Sequence, residues 1–133
     1  MDILVTNNPL VQEQYQSNFR VVFFDTDLLG VLIRVRDRIH DGCRLLTHPL
    51  SGSIKPNESP YKSVLLEEAS KKNDLTPENG TQSKTDFQSV SIIEECIKTA
   101  EKFQSKHIPE KYLKDMQIVD LSLIRNSLEN KRS

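Results

Sequence analysis

The side chains best suited to chemistry are concentrated in one polar stretch, residues 47–63, of this 133-residue chain. His48 could serve as a general acid or base, since an imidazole can both accept and donate a proton. Lys55 and Lys62 could hold a phosphate or a carboxylate through charge-assisted hydrogen bonds. Each has a simpler interpretation, in which the imidazole bonds within the loop and the lysines are solvated. The sequence leaves both interpretations open.

Three prolines brace this stretch. Pro49, Pro56 and Pro60 fix φ at three points and restrict the residue before each, so the loop should be stiff. A stiff polar loop of this length is uncommon in a compact domain unless it binds something. We therefore favour a binding role over a structural Ω-loop whose polar groups satisfy its own backbone.

Polar residues at two earlier points in the chain complete the candidate site. Asn7 and Asn8 follow a short apolar run, and Asp25 follows a second one. Asp25 and Asp27 could bind a metal ion together with His48, but capping of the next helix explains them more simply. The predicted ligand- or partner-binding residues are Asn7, Asn8, Asp25, Thr47, His48, Ser51, Ser53, Lys55, Asn57 and Lys62.

No complete catalytic or cofactor motif is present. The glycines are too sparse for a dinucleotide fingerprint, and Lys62-Ser63 lacks the upstream glycine of a P-loop. Ser51-Gly52-Ser53 does not have the glycine spacing of a nucleophile elbow. Cys43 and Cys96 lie far apart, without metal-binding or redox spacing, so we expect reduced, partly buried thiols. We assign no catalytic residue, no metal and no cofactor.

Composition bounds the class of protein. A chain of 133 residues with 36% hydrophobic and 28% charged residues fits one soluble domain, spanning residues 1–133. The net charge of −1 argues against a nucleic-acid partner. No apolar run approaches the roughly 18 residues that a membrane span needs. The N-terminus lacks the basic region of a signal peptide, so we expect a cytoplasmic protein.

The pattern of apolar residues predicts alternating strands and helices. Helix signals include Asn8 before Pro9, a stripe of aliphatic residues from Leu28 to Ile39, and Gly42 after it. Residues 117–120 are ambiguous between an edge strand and a continued helix. Strands are predicted at 3–5, 20–24, 43–46 and 64–66, and helices at 9–18, 28–41, 86–106, 110–116 and 121–129.

Strand–helix–strand–helix–strand order predicts an α/β fold: one three-layer domain with a small, mostly parallel sheet and C-terminal helices. Residues 67–85 are polar and read as a solvated connection. In open α/β sheets, ligands bind beyond the carboxyl ends of the strands. The turns after the first three predicted strands contain Asn7, Asp25 and Thr47, so these residues should meet at one edge.

The sequence resembles one known family in several segments. Residues 3–9, 35–42 and above all 45–63, with its Thr47-His48-Pro49-Leu50-Ser51-Gly52-Ser53 core, look like the GrdX family. Members are small proteins encoded beside glycine, sarcosine or betaine reductase components in amino-acid-fermenting anaerobes. The resemblance implies a link to that selenium-dependent system, with the reductase components as partners. It implies no activity, cofactor or catalytic residue.

Three hypotheses about function remain open. The first is an accessory protein of the reductase system, whose loop binds a partner or a small effector. The second is a small enzyme acting on an anionic metabolite, with His48 as acid or base and the lysines as anion ligands. The third is a module that senses a metabolite without turnover. The absence of a complete catalytic set favours an accessory protein over an enzyme.

Overall fold

A computed structural model of the protein describes residues 2–50, 58–68, 85–103 and 108–132. Most of the predicted polar connection 67–85 lies outside these residues. In chain order the elements are β1 (Asp2–Thr6), α1 (Pro9–Tyr15), β2 (Arg20–Phe23), α2 (Leu28–His40), β3 (Arg44–Leu45), β4 (Ser63–Glu67), α3 (Phe87–Lys102) and α4 (Glu110–Arg132). The predicted α/β class is confirmed.

The described strands form one sheet in the order β2-β1-β4-β3. β1 pairs with β2 in parallel, whereas β4 lies between β1 and β3 and runs antiparallel to both. The prediction of a mostly parallel sheet is therefore wrong, because two of the three ladders are antiparallel. β4 runs in the opposite direction because it begins at the same edge of the sheet where β3 ends. A strand parallel to β3 would have to begin at the opposite edge, after a crossover connection. β1, β2 and β3 still point in one direction, because β1 and β3 both oppose β4.

Alternating side chains of the central strands divide the core into two layers. Ile3 and Val5 of β1 belong to the cluster formed with α2 and α3. Leu4, between them, belongs to the cluster formed with α1 and α4, and Leu65 of β4 joins it there. The sheet is thus buried on both faces, which gives the predicted three layers.

Helix α2 begins and ends as its sequence predicts. Asp27 is the N-cap, and its carboxylate accepts the Gly30 N–H at 2.8 Å. The aliphatic stripe is buried at Leu28, Leu32, Val35 and Ile39. Gly42, just beyond the helix, has a φ of 108°, a conformation that favours glycine.

The helical spacing of the apolar residues in α3 predicts one buried face, and the structure corrects it in part. The predicted residues are Phe87, Val90, Ile93, Ile97 and Ala100. Ile93 and Ile97 are buried as expected, but Phe87 is 77% exposed. Ser89 lies on the buried face instead, and its hydroxyl accepts the Leu45 N–H at 2.9 Å. Phe87 precedes Ser89 by two residues, about 200° around the helix, so it points away from the core.

Helix α4 is one continuous element. The ambiguous residues 117–120 are helical, and the two helices predicted on either side of them are a single helix. Asp120, Ile124 and Leu128, each four residues apart, are buried on one face. No helix in the described ranges is both long enough and apolar enough to cross a membrane.

Candidate functional site

The candidate site lies where the first three strands end and β4 begins; we call residues 6–8, 24–27, 46–50 and 58–63 the sheet edge. The end of β1 is paired with the end of β2 through Thr6 and Phe23. It is also paired with the start of β4 through Thr6 and Ser63. Six of the predicted site residues, Asn7, Asn8, Asp25, Thr47, His48 and Lys62, come to this edge. Beyond the carboxyl ends of parallel strands is the usual ligand position in α/β folds.

Asn7 ties three segments of the sheet edge together. Its Nδ2 donates to the carbonyl oxygens of Thr26 and Pro60, each at 2.7 Å. Its Oδ1 accepts the backbone N–H of Lys62 at 2.9 Å. Because both amide hydrogens and the oxygen are engaged, this side chain positions the loops rather than offering itself to a ligand.

Asn8 joins the first helix to the last. Its Oδ1 accepts the Leu10 N–H at 3.0 Å, which is the predicted N-cap of α1. Its Nδ2 donates to the Gln117 carbonyl at 2.8 Å and to Asp120 Oδ2 at 3.0 Å. The residue is fully buried, so its role in this structure is also to position its neighbours.

Asp120 of α4 is the buried acid of the site. It is 4% exposed, and its carboxylate accepts hydrogen bonds from Asn8 and from the Ser63 hydroxyl, the latter at 2.8 Å. Burial raises the pKa of Asp120, and the bonds from Asn8 and Ser63 and the positive charge of Lys62 oppose that rise.

A chain of hydrogen bonds leads from the backbone of Asn8 to this acid. The Asn8 N–H donates to Thr6 Oγ1 at 3.0 Å, and Thr6 Oγ1 and Ser63 Oγ lie 2.7 Å apart. Since Ser63 donates its proton to Asp120, Thr6 must be the donor to Ser63. The buried hydroxyls are therefore satisfied, and their direction fits an ionised Asp120.

Lys62 is the buried base of the site. It is 8% exposed, so it is not a solvated loop lysine. Its ammonium has no hydrogen bond and no ion pair within 4.0 Å among the described residues. Loss of hydration lowers the pKa of Lys62 by more than the negative charge of Asp120 raises it. A buried ammonium in this condition is an unsatisfied group that calls for an explanation.

Lys62 and Asp120 line one narrow pocket between α4 and the sheet edge. The pocket has room for about one water molecule. Its wall is otherwise mainly apolar, with two polar residues from the segment before β4. The remaining lining residues are Leu28, Leu50, Ser59, Tyr61, Val119 and Leu123. The phenol of Tyr61 also accepts a bond from Gln117 Nε2 at 2.9 Å.

An open cleft of about 450 Å³ lies on the other side of Leu50, against α3. Exposed His48 lines it, and its Nδ1 accepts the Leu50 N–H at 3.1 Å, which is the bond within the loop that the sequence left open. The neutral ring therefore carries its proton on Nε2. Cys96 also lines the cleft; burial raises the pKa of its thiol, so it is not an activated nucleophile.

Thr47 and Asp25, the other predicted residues of the sheet edge, line neither the pocket nor the cleft. Thr47 is buried, and its Oγ1 accepts the Leu65 N–H at 3.0 Å, so it fastens the chain beside β4. Asp25 is exposed, and Asp27 caps α2. Within the described part of the chain, no three His, Cys, Asp or Glu side chains are placed to hold a metal ion. Ser51, Ser53, Lys55 and Asn57 lie outside the described residues.

Comparison with known proteins identifies the family. The sequence model of the GrdX-like protein family matches residues 3–129, nearly the whole chain. The chain belongs to the GrdX-like protein family. No curated protein and no solved structure matched it. The matched range runs from β1 into the last turns of α4, so it contains both halves of the buried pair, Lys62 and Asp120.

In this GrdX-like protein the acid of the site, Asp120, is not among the residues predicted from the sequence. Asp120 lay in the segment that was ambiguous between strand and helix. The available signal was its spacing of four and eight residues from Ile124 and Leu128, which places a carboxylate on an apolar helix face. Thr6 and Ser63 flank the predicted strands 3–5 and 64–66, and the sequence does not indicate them as partners of an acid. No local pattern indicates that strand hydroxyls will meet an acid from a distant helix.

The arrangement is suited to binding charge in a nearly dry environment. Two groups of opposite sign meet here: the Asp120 carboxylate is held by hydrogen bonds, and the backbone that carries the Lys62 side chain is held by its bond to Asn7. Interactions between charges are stronger in such surroundings than in water. Two serine hydroxyls of the described residues donate to carboxylates, Ser63 to Asp120 and Ser89 to Asp86, and both serines are buried within the fold.

Proposed function

We propose that this protein is an accessory protein of the glycine, sarcosine or betaine reductase system of amino-acid-fermenting anaerobes, acting in the cytoplasm by binding. The observation that carries the proposal is the GrdX-like family match over residues 3–129. The link to the reductase system rests on the family resemblance. The buried site supports a role in binding and not in catalysis.

Two features of the sheet edge support an interaction role. Its principal side chains, Asn7 and Asn8, are used to hold loops and helices in fixed positions. Preorganisation of this kind lowers the entropy cost of recognition. His48 and Glu58 are exposed on either side of the 51–57 segment, so they offer polar contacts to a partner.

A binding experiment with purified reductase components tests the proposal. The immobilised full chain should retain at least one component, and His48→Ala combined with Glu58→Ala should weaken that contact. The control is Glu13→Ala combined with Gln14→Ala, an exposed pair on α1, which should leave it unchanged. Robust turnover of a simple metabolite by the protein alone, lost in His48→Ala, would instead support the enzyme hypothesis.

A second candidate function is the binding of a small charged metabolite as an effector. One observation favours it: the Lys62 ammonium is buried without a hydrogen-bonding partner among the described residues. A ligand that binds only the folded state would raise the midpoint of thermal unfolding. This candidate and the reductase partnership are compatible, since an effector could regulate the contact.

A further inference from the structure

The buried charges Lys62 and Asp120 face one pocket but do not contact each other. Both line it, and both are more than nine-tenths buried. The two residues do not form an ion pair at a limit of 4.0 Å. The Lys62 ammonium nitrogen and the Asp120 carboxylate oxygens therefore lie farther apart than that. A directly bonded buried pair would satisfy itself, and this one leaves a gap between its two poles.

Each pole has hydrogen-bonding capacity left over. The Lys62 ammonium has three donors and no bonded partner in the described structure. The Asp120 carboxylate accepts from Asn8 and from the hydroxyl and backbone N–H of Ser63. A carboxylate offers about four acceptor sites, so about one remains. The gap is therefore bounded by donors at one end and by an acceptor at the other.

The signs of the two charges select the ligand. A simple anion beside Lys62 would bring a second negative charge next to buried Asp120, and a simple cation would bring a second positive charge next to Lys62. Like charges in a poorly hydrated site repel strongly. A molecule that carries both charges meets both poles and leaves the net charge of the pocket unchanged.

We propose that the Lys62–Asp120 pocket is the deep end of a site for a small zwitterion of the amino-acid type, with its carboxylate at Lys62 and its ammonium at Asp120. The site deepens the second candidate function and does not depend on the reductase partnership. It also replaces the simple anion that the sequence suggested, because the sequence did not reveal the acid beside the lysine.

Access to the pocket runs past Leu50. The pocket as it stands holds about one water, which is too little for an amino acid. Leu50 lines both this pocket and the 450 Å³ cleft beside α3. Movement of this one half-buried side chain would open the pocket towards the cleft, whose volume falls within the range of small-ligand sites.

The test compares three probes on the unaltered full chain: glycine, acetate and methylammonium, by ligand-observed NMR titration at neutral pH. Acetate and methylammonium each carry one of the two charges of glycine. We expect glycine to bind at least about tenfold more tightly than either fragment, because it makes both charge-assisted contacts.

Two variants locate the site. Lys62→Met and Asp120→Asn should each weaken glycine binding by about tenfold or more. The matched control is Lys111→Met, which removes an exposed lysine of α4 and should bind glycine as the unaltered chain does. Circular dichroism checks that each variant is folded, and if one is not, the comparison of the three probes decides alone.

Three results would overturn the proposal. If acetate binds as tightly as glycine and Asp120→Asn preserves that binding, the pocket is an anion site and only the ligand class is wrong. If none of the probes binds, both the zwitterion site and the second candidate function fail. If glycine binds equally well to Lys62→Met and Asp120→Asn, its site lies elsewhere. The reductase pull-down is unaffected by each of these results.

Discussion

Asn8 and Asp120 are 112 residues apart in the chain, and the Asn8 Nδ2 donates to Asp120 Oδ2 over 3.0 Å. The same Asn8 side chain caps α1 through its oxygen. One side chain thus connects the start of the first helix with the middle of the last, at the edge where the strands end. This contact, together with the Ser63 hydroxyl, allows a carboxylate to be buried under α4.

Loss of the Asn8 side chain should therefore be costly. Asn8→Ala removes the cap of α1 and takes one buried donor each from the Asp120 carboxylate and the Gln117 carbonyl. We expect a loss of about 2–4 kcal/mol in the free energy of unfolding, measured by urea denaturation. Asn8→Ser is the matched control, since serine also caps helices; it should lose less. Equal losses in the two variants would show that the capping bond contributes nothing, and no loss in Asn8→Ser would show the same of the bonds to α4.

Lys62→Met should stabilise the protein at neutral pH. The pKa of Lys62 is lowered from 10.5 in the folded state, chiefly by burial, so its charge opposes folding. The attraction to Asp120 is already included in that net shift. Between the lowered pKa and 10.5 the unfolded chain binds more protons, so stability due to Lys62 rises with pH. The advantage of Lys62→Met should accordingly shrink as pH approaches 10.5, in thermal unfolding measured from pH 7 to 10.5.

The control for this experiment is Lys111→Met on the exposed face of α4. Removal of an exposed lysine should change the free energy of unfolding by no more than about 0.5 kcal/mol at any of these pH values. A Lys62→Met variant less stable than the unaltered chain at pH 7 would show that attraction to Asp120 outweighs the cost of burial.

Asp120 should make the protein less stable as pH rises through the mildly acidic range. Burial raises its pKa above 3.8, so between 3.8 and the raised value the folded state binds more protons than the unfolded state. Stability due to this group is present at low pH and is lost as pH rises through that window. Asp120→Asn cannot titrate. The difference in unfolding free energy between variant and unaltered chain should shift in favour of the variant from pH 3 to pH 7, and a constant difference would contradict the raised pKa.

Gly30 of α2 should not tolerate alanine. Alanine in a helix interior normally gains up to about 1 kcal/mol over glycine. Here a Cβ at position 30 would overlap the side chain of Thr26, including its Cβ, so the helix start must shift. We expect Gly30→Ala to lower the free energy of unfolding by about 1–3 kcal/mol, measured by urea denaturation. Gly30→Ala combined with Thr26→Gly should recover part of the loss, and a gain in the single variant would show that the turn has room.

Much of the fold could be predicted from local signals in the sequence. Asn8-Pro9 and Asp27 mark helix starts, Gly42 marks a helix end, and the aliphatic stripe of α2 is buried as its spacing predicts. These features depend on residues within a few positions of one another, which is why a sequence reveals them. The predicted burial of Phe87 is wrong, because apolar character alone does not show which face of a helix the core will cover.

What the sequence alone determined is the order of strands and helices, their caps, the GrdX-like family and the collection of polar residues near 7, 25 and 47–63. Only the tertiary structure decided that β4 inserts antiparallel between β1 and β3, and that Asp120 and Lys62 line the same pocket. Strand order and the pairing of distant charges depend on how whole elements pack, and no short-range pattern encodes that choice. A lysine that the sequence left as solvated or anion-binding is, in the folded protein, half of a buried pair of opposite charges.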